Sequence, residues 1–158
     1  MQKTSVGTMM FNPKDSTAGK SIDLYGEYMR DELELLKQVV RVGDYIVDAG
    51  AMYGGTALGL SKVVGDKGAV YSFEPQRVLH QILCSNFAMN GVFHAHCRHE
   101  ALGASEGEVV VPALDVTKEG CHGCTTIDPT NYLGETVKMI TVTTQTRTKR
   151  KLEYHHET

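Results

Sequence analysis

The sequence predicts an α/β protein whose sheet is built from parallel strands joined by crossover helices. Three observations lead there. A short apolar run at Tyr45-Ile46-Val47 enters a glycine-rich bend and then a segment of helical spacing from Thr56 to Val64. A second run, Ala69-Val70-Tyr71-Ser72-Phe73, gives way after Glu74-Pro75 to another helical segment. A third run, from Val92 or Phe93 to about Arg98, follows that helix directly, so the order reads βαβαβ.

Each element has a local reason. Residues 1 to 20 show little periodicity and contain Gly7, Pro13 and Gly19, which reads as a loose lead-in. From Arg30 to Arg41, Leu33, Leu36, Val39 and Val40 recur at helical spacing, with Leu35 widening the stripe. Asp31, Glu32 and Glu34 sit near its start, where the helix dipole favours anions, and Gly43 follows its end. The helix after the first bend uses Ala57, Leu58, Leu60, Val63 and Val64, and Gly65-Asp66-Lys67-Gly68 turns the chain into the second strand. Pro75 cannot donate to a ladder but suits the first turn of a helix. Val78, Leu79, Ile82, Leu83 and Phe87 then form one face, ending at Asn90-Gly91.

Beyond Gly103 the character changes. Gly107 to Pro112 reads as a strand, Thr117 to Pro129 is rich in loop formers, and Val137 to Thr144 alternates like a further strand. No helix separates the two strands, which points to hairpin or meander pairing. The expected division is a lead-in over 1–20, one domain over 21–145 and a basic, disordered tail over 146–158.

The 158 residues carry 16 Lys+Arg against 19 Asp+Glu, a net charge of -3, and 41% are hydrophobic. Such a chain can bury a core and is not disordered throughout. Near-neutral charge excludes a whole-surface nucleic-acid binder, which needs a basic face. The local exception, Arg147, Lys149, Arg150 and Lys151, reads as a solvated terminus. There is no run of roughly 18 apolar residues and no basic-then-apolar leader, so the expectation is a soluble cytoplasmic protein with neither membrane nor nucleic acid as partner.

Without an export signal, Cys84, Cys97, Cys121 and Cys124 are expected to be reduced. Cys121-His122-Gly123-Cys124 invites a zinc reading, but its spacing lacks a second ligand pair, and strand alternation sends His94 and His96 to one face and Cys97 to the other. No metal is expected. A redox C-x-x-C should open a helix, whereas Thr125, Thr126 and Ile127 follow this one.

In parallel α/β sheets, ligands sit beyond the carboxyl ends of the strands. Asp48 and the glycine bend, Glu74, and Glu100-Ala101 would all meet at that edge. Gly50, Gly54 and Gly55 permit a tight turn against a ligand. Where a dinucleotide loop has its second glycine, this chain has Met52, which disfavours a diphosphate, and with it a nicotinamide-dependent oxidoreductase, and favours a phosphate-free nucleoside. Glu74 follows Asp48 by 26 residues and can accept from both ribose hydroxyls; otherwise it is a surface acid. Asp48 suits an ammonium group or the amides of the turn.

Taken together these residues resemble the FkbM family of S-adenosylmethionine-dependent methyltransferases. The likeness runs from Tyr25-Gly26-Glu27 through Gly43-Asp44-Tyr45-Ile46-Val47-Asp48-Ala49-Gly50-Ala51 and Tyr71-Ser72-Phe73-Glu74-Pro75 to Ala101-Leu102-Gly103 and Glu106-Gly107-Glu108. It implies a Rossmann-like class I methyltransferase fold and S-adenosyl-L-methionine as cofactor. It implies a cofactor site of Asp48, Gly50, Ala51, Met52, Tyr53, Gly54, Glu74, Pro75, Glu100 and Ala101. Asp48, Gly50, Ala51 and Gly54 would line the methionine part, Glu74 would hold the ribose, and Glu100-Ala101 would border the adenine. Relatives carry Asn where this chain has Met52, and they continue into further strands and helices that this sequence lacks. The resemblance is therefore to the cofactor-binding half.

The implied activity is methyl transfer, to a hydroxyl of a small molecule or sugar. The alternative is an inactive or partner-dependent nucleoside-binding module derived from such an enzyme. His94, His96, His99 and His122 are chemically able bases, but none is assigned, so the catalytic residue is unknown. A half-sheet leaves backbone edges open, so either Val137 to Thr144 or a second chain is expected to cover them, with a homo-oligomer or partner chain favoured.

Overall fold

The computed structural model describes residues 1–124 and 134–142. Its elements are β1 (Gln2–Thr4), β2 (Gly7–Met9), α1 (Ala18–Tyr25), α2 (Arg30–Val39), β3 (Tyr45–Ala49), α3 (Gly55–Val64), β4 (Ala69–Phe73), α4 (Arg77–Met89), β5 (Ala95–Arg98), β6 (Ala101–Leu102), β7 (Gly107–Pro112) and β8 (Gly134–Ile140). The central sheet is β3-β4-β5, parallel throughout, with Asp48 beside Ser72 and Ser72 beside Cys97. The chain is thus α/β with a Rossmann-like parallel sheet.

Alternation decides which face is covered. Ile46, Val70, Ala95 and Cys97 face α3 and α4 and join one core with Leu58, Val64, Leu79, Leu83 and Phe87. On the opposite face Tyr45 is 73% exposed and Tyr71 stacks on His96, ring centroids 4.7 Å apart. Consecutive right-handed crossovers between neighbouring strands put both helices on one side, which is why Tyr45 and Val47 on the other face stay exposed, while Ala69 and Phe73 on that face are buried.

The N-terminal segment is not a loose lead-in. β1 and β2 form an antiparallel hairpin, and Met9, Phe11 and Asp15 are buried. Two asparagines one turn apart, Asn86 on α4 and Asn90 just past its end, take the place of a neighbouring strand. Asn90 accepts from Thr8 N (2.9 Å) and donates to Thr8 O (2.7 Å). Asn86 accepts from Met10 N (2.6 Å) and donates to Met10 O (2.9 Å) and Tyr53 O (2.8 Å). These bonds satisfy backbone groups that would otherwise be buried unpaired. α1 was not anticipated; the buried Asp15 carboxylate accepts from Gly19 N (2.9 Å) and Thr17 N (3.2 Å) and so nucleates it.

β6, β8 and β7 make a second small sheet, β7–β8 antiparallel as the missing helix suggests. The last strand starts earlier than its sequence pattern, at Gly134, and ends at Ile140. Among the described residues it pairs with β6 and β7 and not with the central sheet, so of the two alternatives for covering the open edge, the less favoured one, coverage by this segment, is not what the structure shows. The basic tail lies outside the described residues.

Candidate functional site

β3, β4 and β5 end side by side at Ala49, Phe73 and Arg98, so the segments after them share one edge. The bend after β3 is built from left-handed residues: Gly50 has φ 75°, Met52 φ 54° and Gly54 φ 81°. Gly50 N and Ala51 N both donate to Phe73 O, at 2.9 and 3.0 Å, folding the bend over the end of β4. Met52 is the one non-glycine in the bend at positive φ, a conformation costing about 1–3 kcal/mol that its surroundings must impose.

Glu74 imposes it. Its carboxylate is 4% exposed and accepts from Met52 N at 2.8 Å through Oε2 and from Gln76 N at 2.8 Å through Oε1. Burial pushes its pKa above the usual carboxylate range; the two amides oppose that rise, and the charge of Asp48 adds to it. Each oxygen keeps a further lone pair for a ligand.

Asp48, half-buried, is the other carboxylate beside the bend. Its Oδ2 and the Oγ of its cross-strand neighbour Ser72 are sealed from solvent with no hydrogen-bond partner among the described residues. Burial pushes the Asp48 pKa up to about 6.

Two cavities flank the bend. One, of about 360 Å³, lies between the N-terminal hairpin, the start of α2 and the bend, and includes Glu27, Glu32 and Asp48 in its lining. The other, of about 340 Å³, lies over the ends of β4 and β5 and includes Glu74, Glu100 and His122. Ala49, Gly50, Met52 and Gly123 border both, so the cavities are two halves of one crevice divided by the bend. Among the described residues five carboxylates line it and neither half has a Lys or Arg in its lining. Such a surface repels phosphate and attracts a cation.

Of the residues expected at the site, Asp48, Gly50, Ala51, Met52 and Tyr53 line the first half; Gly50, Met52, Glu74, Pro75, Glu100 and Ala101 line the second. Gly54 lines neither. A Cβ there would collide with Leu83 Cδ1, so this glycine serves the packing of the bend on α4. Tyr53 is 2% exposed, and burial followed by the nearby Asp15 charge raises its pKa. Glu100 is engaged by Arg98 through two contacts, at 3.0 and 3.2 Å, and that bond holds its pKa down. Among the candidate histidines, His94 lies against Ser61 O (2.9 Å), His96 stacks on Tyr71, and His99 lies against Pro75 O (3.0 Å), whereas His122 lines the crevice.

Sequence reasoning missed the wall contributed by Gly123 and the hairpin residues Thr4, Ser5 and Val6, because no periodicity marks a loop that folds back over a hundred positions. It also misjudged the thiols: Cys121 and Cys124 are joined as a disulfide, so the expectation of four reduced cysteines is corrected. Their Sγ atoms meet because the turn at His122-Gly123 brings the two Cα atoms to 5.3 Å. Cys84 and Cys97 are free.

No helix among the described residues is long and apolar enough to cross a membrane. No protein-family model matches the chain, and no curated protein does. Several solved structures are similar to part of it. One is described as an rRNA methylase from Clostridium thermocellum, 20% identical over 46% of this chain and 40% of that one, TM-score 0.44. Another is a SAM-dependent methyltransferase from Aquifex aeolicus, 24% identical over 56% and 47%, TM-score 0.43. A third is a SAM-dependent O-methyltransferase from Thermotoga maritima, 21% identical over 51% and 33%, TM-score 0.42. The matched region spans less than half the length of each of these three proteins.

Proposed function

We propose that the crevice binds S-adenosyl-L-methionine and that the chain is the cofactor-binding part of a methyltransferase of the FkbM kind, acting on a hydroxyl of a small molecule or sugar. The observation that carries this reading is the charge of the crevice: among the described residues, five carboxylates and no Lys or Arg in its lining, at the carboxyl edge of a parallel sheet. A diphosphate would be repelled there, whereas a nucleoside bearing ammonium and sulfonium charges is complementary. The group fits the residues present. Asp48, with a buried oxygen lacking a partner among the described residues, and Glu27 and Glu32 across the first half suit the ammonium end. Glu74 has lone pairs left for ribose hydroxyls, and Pro75, Glu100 and Ala101 would flank the base.

When bound, the cofactor supplies a methyl group on a positively charged sulfur, open to in-line displacement. The chain's contribution is to orient: the Glu74–Met52 bond fixes the bend between the two halves, and the carboxylates hold the cationic end in place. Calorimetry with adenosylhomocysteine and with NAD tests the reading. Binding of the first alone is expected; binding of NAD alone contradicts it. Transfer of a labelled methyl group to hydroxylated acceptors then tests turnover.

A second reading, a module that works only with a partner chain, is favoured by the exposed outer sheet face, where Tyr45 and Val47 are 73% and 37% exposed. Adenosylhomocysteine binding without methyl transfer, in a chain that associates in solution, is its signature.

A further inference from the structure

The disulfide Cys121–Cys124 stands at the divide of the crevice, and the two residues it brackets form part of the wall. His122 lines the second half, and Gly123 lines both. A Cβ at Gly123 would lie 2.8 Å from both Sδ and Cε of Met52, so the loop rests directly on the residue that Glu74 holds in its left-handed conformation.

The two ends of this loop are anchored differently. Upstream, Gly120 N donates to Lys14 O (3.1 Å), Ser16 N to Gly120 O (2.9 Å), and His122 N to the buried Asp15 carboxylate (3.3 Å). Burial alone would raise the Asp15 pKa, but hydrogen bonds from Gly19, Thr17 and His122 outweigh it and keep the carboxylate charged. Downstream, among the described residues, Cys124 is held by its bond to Cys121 and by Cys124 N donating to Cys121 O at 3.4 Å. Cys124 is exposed and Cys121 half-buried, its Sγ 3.5 Å from Thr17 Oγ1. A reagent from solvent therefore meets the Cys124 sulfur first, and opening the bond removes the covalent tie across the turn that touches Met52.

We infer that Cys121 and Cys124 are a thiol–disulfide exchange site whose state is passed through Gly123 to Met52 and so to the shape of the crevice. In the reducing direction, a thiolate of an external dithiol attacks Cys124 Sγ. The Cys121–Cys124 bond breaks, and Cys121 leaves with the electron pair and takes a proton from water. The second thiol of the reductant then displaces Cys124, leaving as its own cyclic disulfide; two electrons and two protons have moved from the dithiol to the pair. In the oxidising direction, glutathione disulfide accepts them and departs as two glutathione thiols. The four residues of the motif form a turn and none of them is helical, unlike the motif of oxidoreductase catalysts, whose residues sit in the first turn of a helix. It is a site acted on by exchange and not a catalyst of it.

The test uses the full chain with methionine methyls labelled with carbon-13, across a series of reduced-to-oxidised glutathione ratios. Met52→Leu assigns the Met52 resonance, and peptide mass after alkylation reads the redox state of Cys121 and Cys124. The expected result is a single midpoint at which the cysteine peptide changes state and the Met52 methyl resonance shifts, while that of Met139, packed on Gly103 in the second small sheet, stays. In a Cys121→Ser/Cys124→Ser variant the Met52 resonance should stay at one position at every ratio. The inference is overturned if the pair never changes state across the series, or if it does and the Met52 resonance does not follow. Adenosylhomocysteine added at each end of the series reads the cofactor proposal separately: no binding in either state contradicts that proposal, while a moving Met52 signal would still uphold this one.

Discussion

The carboxylate of Glu74 and the backbone amide of Met52, 22 positions apart, meet at 2.8 Å, and through that bond the end of the second parallel strand fixes the bend after the first. One side chain thus holds a strained residue, and on the proposed function it also offers a carboxylate to the sugar of the nucleoside. Glu74→Gln keeps one acceptor but turns an N–H toward a backbone donor. Bonds to charged groups contribute about 1.5–3 kcal/mol, so we expect a lower Tm and adenosylhomocysteine affinity reduced by at least about tenfold. Unchanged affinity by calorimetry would remove Glu74 from the ligand's contacts.

Gly50 and Gly54 both adopt positive φ, yet their surroundings differ. A Cβ at Gly50 meets nothing within 4 Å, whereas one at Gly54 collides with the buried Leu83. Gly50→Ala should therefore cost about 1–2 kcal/mol of stability from backbone strain alone, with adenosylhomocysteine binding lost, because the added methyl enters the crevice. Gly54→Ala adds overpacking of about 1–3 kcal/mol to the same strain. Thermal unfolding should rank Gly54→Ala as the less stable; the opposite ranking would contradict the packing described.

Asp48 gives a pH signature. Its folded pKa, about 6, lies above the unfolded value of 3.8, so between those values the folded state binds the extra proton. Stability from this group therefore falls as pH rises from about 4 to about 6, and the cost stays above that range. Asp48→Asn should flatten that slope and raise stability at pH 7 by about 1–3 kcal/mol. It should also weaken a cationic ligand at pH 7, and the wild-type affinity should fall as pH drops through about 6. Urea titrations and calorimetry at pH 5 and 7 check both arms. An identical slope in the variant would show that Asp48 is not the titrating group.

The parts of the fold legible in the sequence were those governed by short-range pattern. Helical spacing from Arg30, the strands at Tyr45 and Ala69 and the stop at Asn90-Gly91 all follow from local periodicity and turn chemistry, and their bounds agree with the structure to within a few residues. The hairpin at Gln2–Met9 was illegible because its order comes from Asn86 and Asn90, over 70 positions away, whose side chains stand in for a strand. Gly54 was read as a ligand contact because a positive-φ glycine looks the same from sequence whether a ligand or Leu83 occupies the space beside it. The disulfide was missed because its formation depends on the turn at His122-Gly123. That Asp48, near the end of β3, and Glu74, just after β4, lie along one edge was legible because the carboxyl ends of neighbouring parallel strands share an edge whatever the loops do.

The most direct measurement is a crystal structure of the chain soaked with adenosylhomocysteine. The account predicts the sugar hydroxyls within hydrogen-bond reach of the Glu74 carboxylate and the amino group beside Asp48, with Met52 between them. A crevice left empty by the soaked ligand, or a ligand seated elsewhere on the molecule, would contradict it.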